Sequence, residues 1–378
     1  MSIKEPIEYQ AFIKPVSAKC NLRCSYCYYN SSVKDIGGTG GAIMSEKVLE
    51  EYVKQNIASA GHGPVFFAWH GGEPTLAGMD FYRKAVELQK RYQPDGIEII
   101  NGIQTNGTLI DDEWCRFLAE NRFAVGISID GPENLHNLNR RSLSGEGSFA
   151  SASGAFQRLK EYGLEPEILC VVSSTNVGYP LDVYRYFREM GARWMTFLPL
   201  VIRDTDSNHG VLPPSVNSRR FGEFLCALFD EWVEHDIGLI KIQIIEEATR
   251  VAFNQEHTLC IFKKECGGVP VIELNGDFYS CDHYVNDDHR IGNILETSLD
   301  GLLCSDRQRA FGKAKWTTLP RYCLECEVLD MCNGECPKNR FIATPSGEPG
   351  LNYLCEGYRL FFNHMRPFVE AVREAGKR

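Results

Sequence analysis

The sequence predicts an α/β fold: a partial (β/α)6 TIM-like barrel followed by a smaller, cysteine-rich C-terminal domain. Three observations carry this expectation. Strand-like and helix-like segments alternate through the first half of the chain. Polar and glycine-rich residues cluster just after the strands, and beyond about residue 235 the alternation gives way to loops dense in cysteine. Alternation implies parallel β/α units joined by right-handed crossovers, and the rim beyond the strands is where such barrels place their chemistry. The expected division is a barrel over residues 1–235 and a second domain over 236–378. Six distinct β/α units suit a partial barrel better than a full eight.

The elements follow in order. "YQAFIKPV" reads as the first strand, followed by a cysteine loop and a Gly/Ser-rich stretch, residues 30–41. Ser45 then caps an amphipathic helix with Val48, Tyr52, Val53 and Ile57 on one side. "VFFAWHG" is the second strand, with a helix from about Asp80 to Arg91 after it. "IEIINGIQT" is the third; Asp111, Asp112 and Glu113 then open a helix and complement its dipole. "AVGISID", "EPEILCVVS" and "ARWMTFLPLV" complete the six strands. A long polar loop, "IRDTDSNHGVLPPSVNS", precedes the helical "RRFGEFLCALFDEWVEH". The terminal "CEGYRLFFNHMRPFVEAVREAG" reads as a helix bent at Pro367.

With 378 residues, 43% hydrophobic and 24% charged, the composition is that of a globular protein with a sizeable core. A net charge of −10 repels phosphate backbones, so nucleic acid is not an expected partner. No apolar run approaches bilayer length, so neither is a membrane, and "MSIKEPIEYQ" is not a signal peptide. A cytoplasmic address is expected, where the 15 cysteines should remain unpaired by disulfides. Cys115, Cys170, Cys226 and Cys304 stand alone and read as small buried hydrophobes.

The other cysteines are not scattered. "KCNLRCSYCYY" puts Cys20, Cys24 and Cys27 into eight positions directly after the first strand. A four-iron cubane held by three thiolates leaves one iron open to a small molecule, as catalytic zinc sites keep an open position. A zinc site completed by a remote ligand is the alternative. Downstream stand Cys260, Cys266, Cys281, Cys323, Cys326, Cys332, Cys336 and Cys355, enough for two fully ligated clusters or two structural zincs. Asn275-Gly276 in "VIELNGDFYSCDHYV" predicts a type I′ hairpin. Cys281 and Asp282 would then lie on its second arm with opposite facing, Asp282 toward the barrel mouth.

"CNLRCSYC" resembles the signature of radical S-adenosylmethionine enzymes, and several rim residues match that family. The resemblance implies that the cofactor is met by Tyr26, by Gly71, Gly72 and Glu73 of "GGEP", by Ser128 of "GISID", by Arg140 and by Leu200 of "FLPL". The run "CLECEVLDMCNGEC" resembles a SPASM-type iron–sulfur domain. Matched by position, one auxiliary [4Fe-4S] cluster takes Cys260, Cys266, Cys281 and Cys336, and the other Cys323, Cys326, Cys332 and Cys355. With the Cys281-Asp282 pair, the spacing over about residues 12–365 closely resembles the anaerobic sulfatase-maturating enzymes.

That resemblance implies three [4Fe-4S] clusters and the oxygen-independent oxidation of a cysteine or serine of an unfolded or nascent sulfatase to formylglycine. The adenosyl radical takes hydrogen from Cβ, Asp282 takes the thiol or hydroxyl proton, and an auxiliary cluster accepts an electron. A flavodoxin- or ferredoxin-type donor is implied. Two other readings stay open: a SPASM-type maturase that crosslinks a ribosomal peptide, and a non-catalytic electron carrier. Only about eleven residues precede the first strand, which argues against the added peptide-binding domain of the crosslinking enzymes. Asn137 stands where relatives often carry Asp, so His136 is assigned no role, and Tyr29 reads equally as a substrate contact or core.

Overall fold

The computed structural model describes residues 8–29, 42–59, 61, 63–206 and 210–377. The Gly/Ser-rich stretch at 30–41 lies outside them. Along the chain run β1 (Phe12–Ile13), α1 (Glu46–Ser59), β2 (Val65–Trp69), α2 (Met79–Tyr92), β3 (Ile99–Thr105), α3 (Asp112–Glu120), β4 (Ala124–Ser128), α4 (Glu133–Asn139), α5 (Phe149–Glu161), β5 (Glu167–Val172), α6 (Pro180–Glu189) and β6 (Trp194–Pro199). Then come α7 (Ser218–His235), β7 (Lys241–Ile242), α8 (Gln243–Thr249), β8 (Val271–Ile272), β9 (Asp277–Tyr279), β10 (Arg290–Asn293), α9 (Leu299–Leu303), α10 (Asp306–Thr317), α11 (Arg321–Leu324), α12 (Leu329–Cys332), β11 (Ile342–Ala343), β12 (Pro349–Leu351) and α13 (Cys355–Ala375). Two compact units result: Met1–Ile127 with Arg141–Pro166 and Gly267–Gly312, and Ser128–Arg140 with Glu167–Cys266 and Lys313–Arg378.

In the first unit β1, β2, β3 and β4 pair in parallel and in chain order, as the β/α alternation predicts. The crossover helices form for local reasons. Ser45 Oγ accepts from Val48 N at 3.4 Å and starts α1, which buries Val48, Leu49, Tyr52, Val53 and Ile57. Each aliphatic side chain on that face is worth about 1.5–3 kcal/mol. Asp111 Oδ1 accepts from Trp114 N at 2.9 Å and caps α3.

The other flank of β1 was not legible in the sequence. β8 pairs with it in parallel, Phe12 opposite Val271 and Ile13 opposite Ile272. β9 runs antiparallel to both β8 and β10. A hairpin from late in the chain therefore extends the barrel sheet. Its turn is not type I′. Glu273 O accepts from Gly276 N at 2.8 Å, Glu273 N donates to Asp277 O at 3.0 Å, and only Gly276 takes positive φ, 87°. This is a three-residue loop with glycine at the left-handed position. Asn275 Oδ1 accepts from Asp277 N at 3.0 Å, so its side chain helps close the turn. Cys281 and Asp282 lie beyond the end of β9, in a turn that Tyr284 N closes onto Cys281 O at 3.0 Å. Strand alternation is thus not what orients them.

In the second unit β5, β6 and β7 pair in parallel; the short β7 is an addition to the six predicted strands. α13 continues through Pro367 from Cys355 to Ala375 and packs on α7. The helices meet at two glycines: a Cβ on Gly357 would stand 2.1 Å from Ser218 O, and one on Gly222 2.4 Å from Gly357 O. Ser218 Oγ accepts from Gly357 N at 3.1 Å. This approach fixes the first turn of α13, which begins at Cys355. Among the described residues no helix is long and apolar enough to cross a membrane.

Candidate functional site

The loop after β1 carries the cysteine trio. Cys24 is buried, Cys20 and Cys27 half-buried, and Cys27 N donates to Cys24 O at 3.2 Å, folding the trio into a tight turn. Tyr26, within that turn, is 8% exposed. Cys20 Sγ accepts from Leu22 N at 3.3 Å and from Asn106 Nδ2 at 3.7 Å. Burial pushes the Cys20 thiol up to about 11, against the pull of those donors. A bound metal inverts that balance and takes the thiolate.

The "GGEP" turn grips this loop from below. Gly72 N donates to Ser17 O and Glu73 N to Lys19 O, both at 2.8 Å. The approach leaves no room for side chains: a Cβ on Gly72 would lie 2.2 Å from Lys19 O, and one on Gly71, at φ 117°, 2.7 Å from Ser17 O. The glycines are therefore needed to seat the loop that begins at Cys20. Glu73, expected as an acceptor for the cofactor, is already engaged within the protein. The residue is fully buried; Oε1 accepts from Thr75 N (3.1 Å), Thr75 Oγ1 (2.6 Å) and Thr105 Oγ1 (2.7 Å), and Oε2 from Asn106 N (2.7 Å). Its carboxylate ties the ends of β2 and β3 together, and through Asn106 it orders the donor to Cys20.

In the second unit Ser128 ends β4, and Arg140 follows α4 with its Nε 2.9 Å from Asp130 Oδ2. Asp130 Oδ1 accepts from Val171 N at 3.0 Å. His136, fully buried, accepts Asp130 N at Nδ1 (3.3 Å), and burial lowers its pKa to about 4. It is a neutral prop for the "SID" turn. Leu200 follows β6, held by Leu200 N to Val172 O at 2.8 Å.

Asp282 sits in the first unit, 8% exposed. The hydroxyl of Tyr28 donates to its Oδ2, that of Tyr29 lies 3.3 Å from Oδ1, and Lys14 Nζ is 2.6 Å from Oδ1. Burial opposes its charge, but Lys14, His70 and His283 outweigh that and hold the carboxyl well below the usual range. His70 stacks on Phe12 at 4.7 Å and meets the Tyr29 hydroxyl at 3.4 Å. Tyr29 thus belongs to this polar cluster and not to an apolar core. Lys14, Tyr28, His70 and Glu273 were missed by sequence reasoning. The available signal was a lone charge closing an apolar strand, in "AFIK" and in "VIEL".

Of the downstream cysteines, Cys323, Cys326, Cys332 and Cys355 line one pocket together with Tyr322, Val328, Leu329 and Arg359. Burial, then Cys323 and Cys326, push the Cys355 thiol up to about 12, with the Arg359 guanidinium pulling the other way. Lys315 Nζ donates to Cys260 O and Ile261 O, both at 2.8 Å; burial lowers its pKa, while Cys266, Cys260 and Cys336 act to raise it. Those three cysteines therefore share the electrostatic neighbourhood of one buried ammonium in the second unit. Cys281 belongs to the first unit. Among the described residues no three His, Cys, Asp or Glu side chains stand close enough to hold a single metal ion.

Residues 15–193 match the Radical SAM superfamily and residues 266–327 an iron–sulfur cluster-binding domain of the SPASM type. The chain is 42% identical to a serine-type anaerobic sulfatase-maturating enzyme of Bacteroides thetaiotaomicron, over 96% of this chain and 90% of that one. It is 35% identical to a cysteine-type anaerobic sulfatase-maturating enzyme of Clostridium perfringens, over 94% and 95%. The solved structure of native anSMEcpe with bound AdoMet and Cp18Cys peptide superposes with a TM-score of 0.87 at 34% identity, covering 97% of this chain and 99% of that one. The chain belongs to the anaerobic sulfatase-maturating enzymes, radical S-adenosylmethionine enzymes that carry a SPASM-type iron–sulfur domain.

Proposed function

We propose that this chain oxidises a cysteine or serine of a sulfatase polypeptide to formylglycine, using S-adenosylmethionine and no oxygen. One observation carries the reading: the buried Asp282 carboxylate is hydrogen-bonded by Tyr28 and Tyr29, the two residues that follow the third cysteine of the N-terminal trio. The loop that would hold the radical source and the group that would take the proton are thereby tied together. S-adenosylmethionine on the open iron of a cubane at Cys20, Cys24 and Cys27 supplies a hydrogen-abstracting radical when bound, and two auxiliary clusters supply an electron acceptor. The substrate side chain gives up a hydrogen atom from Cβ, a proton from sulfur or oxygen, and one electron, with Asp282 the destination of the proton; serine thereby becomes the aldehyde directly, and cysteine a thioaldehyde that water hydrolyses to the aldehyde with release of hydrogen sulfide.

The remaining assignments rest on family pattern. Tyr26, Gly71, Gly72, Ser128, Arg140 and Leu200 are assigned to the cofactor, with Glu73 acting through the turn it holds. Cys260, Cys266, Cys281 and Cys336 are assigned to one auxiliary cluster, and Cys323, Cys326, Cys332 and Cys355 to the other. The barrel, residues 1–235, would make the radical and residues 236–378 carry electrons, with a flavodoxin- or ferredoxin-type protein as donor. The crowded thiols of the second set support the fit.

Anaerobic incubation with reductant, S-adenosylmethionine and sulfatase-motif peptides bearing cysteine or serine tests the function. The expected product is the aldehyde, seen as the formylglycine mass; a crosslinked peptide without aldehyde would assign the chain to another maturase reaction. A second expectation concerns metal content: about twelve irons per chain after reconstitution, from three cubanes of four. The double variant Cys323→Ala/Cys332→Ala is expected to lose about four of them while still cleaving S-adenosylmethionine. An iron count near four with bound zinc in the parent would remove the auxiliary clusters.

A further inference from the structure

The sequence offers Asp282 as a lone acid, but the structure surrounds it with partners. Lys14 Nζ stands 2.6 Å from Asp282 Oδ1 and 3.3 Å from Glu273 Oε1, and the side chains of Lys14 and Glu273 are each 1% exposed. Lys14 also lies over the Tyr29 ring, 4.6 Å from its centroid. One buried ammonium is thus shared by two carboxylates and an aromatic face. Backbone pairing dictates the arrangement. β1 and β8 run parallel, Lys14 N donates to Ile272 O at 3.0 Å, and this sets Lys14 and Glu273 side by side at the strand ends.

We propose that Lys14, anchored by Glu273, is the positioning residue that fixes the Asp282 carboxylate, holding Oδ1 while Tyr28 holds Oδ2; the inference rests on the reading of Asp282 as proton acceptor. One observation supports the pairing of Lys14 with Glu273. Neither Glu273 oxygen has a hydrogen-bond partner among the described residues, so Lys14 is the group its charge answers to. A buried charge stripped of its partner is strongly destabilising. Were Asp282 the sole counter-ion, a proton arriving there would strand Lys14; Glu273 keeps the ammonium paired throughout. Tyr28 and Tyr29 hold Asp282 from the cysteine-loop side, where the Tyr29 hydroxyl also meets His70 at 3.4 Å and the Tyr28 ring meets that of His283 at 5.8 Å.

The test uses the reconstituted holoenzyme with a cysteine or serine peptide, and counts 5′-deoxyadenosine and formylglycine separately. Glu273→Gln, an isostere, is expected to keep peptide KM and cofactor cleavage but to lower kcat for formylglycine by about tenfold or more, a fraction of what a positioned base contributes. Lys14→Met should do the same, and Lys14→Arg, which keeps the charge, should recover more of the coupling. A purely structural role would move KM, iron content and cofactor cleavage together and would show no rescue by arginine. Wild-type coupling in Glu273→Gln overturns the inference even if Asp282→Asn is inactive. Wild-type coupling in Asp282→Asn removes the base reading itself. Should Lys14→Met fail to fold, the Glu273→Gln result decides.

Discussion

Asp282→Asn is expected to leave S-adenosylmethionine cleavage close to the parent's while lowering formylglycine formation by about 10²–10⁴-fold, the range that a positioned general base contributes. The substitution keeps the size of the side chain and an oxygen for the Tyr28 hydroxyl, so the loop bearing Cys20, Cys24 and Cys27 retains its tether. Lys14 retains Glu273 at 3.3 Å, so the buried ammonium is not orphaned. What disappears is a carboxylate able to take the substrate's thiol or hydroxyl proton. The two products report different steps: 5′-deoxyadenosine appears whenever the cofactor is cleaved, formylglycine only when the proton and electron also leave. Mass spectrometry of both from one anaerobic reaction measures the uncoupling. Equal yields of aldehyde from variant and parent would assign the proton to another group.

Much of this was legible from local pattern. The parallel strands from β1 to β6 announce themselves by alternation with helices, and Ser45 and Asp111 cap where their residue types suggest. Cysteine spacing is local as well, and the set Cys323, Cys326, Cys332 and Cys355 does gather around one pocket. What stayed hidden depends on pairings between distant segments. Nothing in "YQAFIKPV" states that "VIEL" will lie beside it, because parallel pairing between them is chosen by the packed barrel and not by either segment. Lys14 and Glu273 each look like an ordinary strand-end charge until that pairing is known. The hairpin turn failed for a narrower reason: Asn-Gly fits both a two-residue turn and a three-residue one, and the register is set by where Glu273 meets Asp277. The donors to Glu73 stayed hidden because Thr105 and Asn106 come from the next strand end.

Gly72→Ala should be nearly as damaging to radical generation as loss of a cysteine ligand, although alanine carries no chemistry. The added Cβ would stand 2.2 Å from Lys19 O, 2.5 Å from Ala18 O and 2.6 Å from Ala18 C, all backbone atoms that no rotamer change can clear. Either the "GGEP" turn backs away, which breaks Gly72 N to Ser17 O and Glu73 N to Lys19 O, or the segment leading into Cys20 shifts. Both routes displace the cysteine trio from the turn that seats it, by an amount on the order of 1 Å, and a misplacement of that size costs about 10²-fold in rate. The expected result is a fall of about that factor in 5′-deoxyadenosine release, with the iron of the two auxiliary sets retained. Gly96→Ala serves as the control: its Cβ would meet nothing within 4 Å, so the strain of its positive φ, 79°, is the sole penalty there. If Gly72→Ala cleaves the cofactor as fast as that control, the grip of the glycine turn on the cysteine loop is not what holds the trio in place.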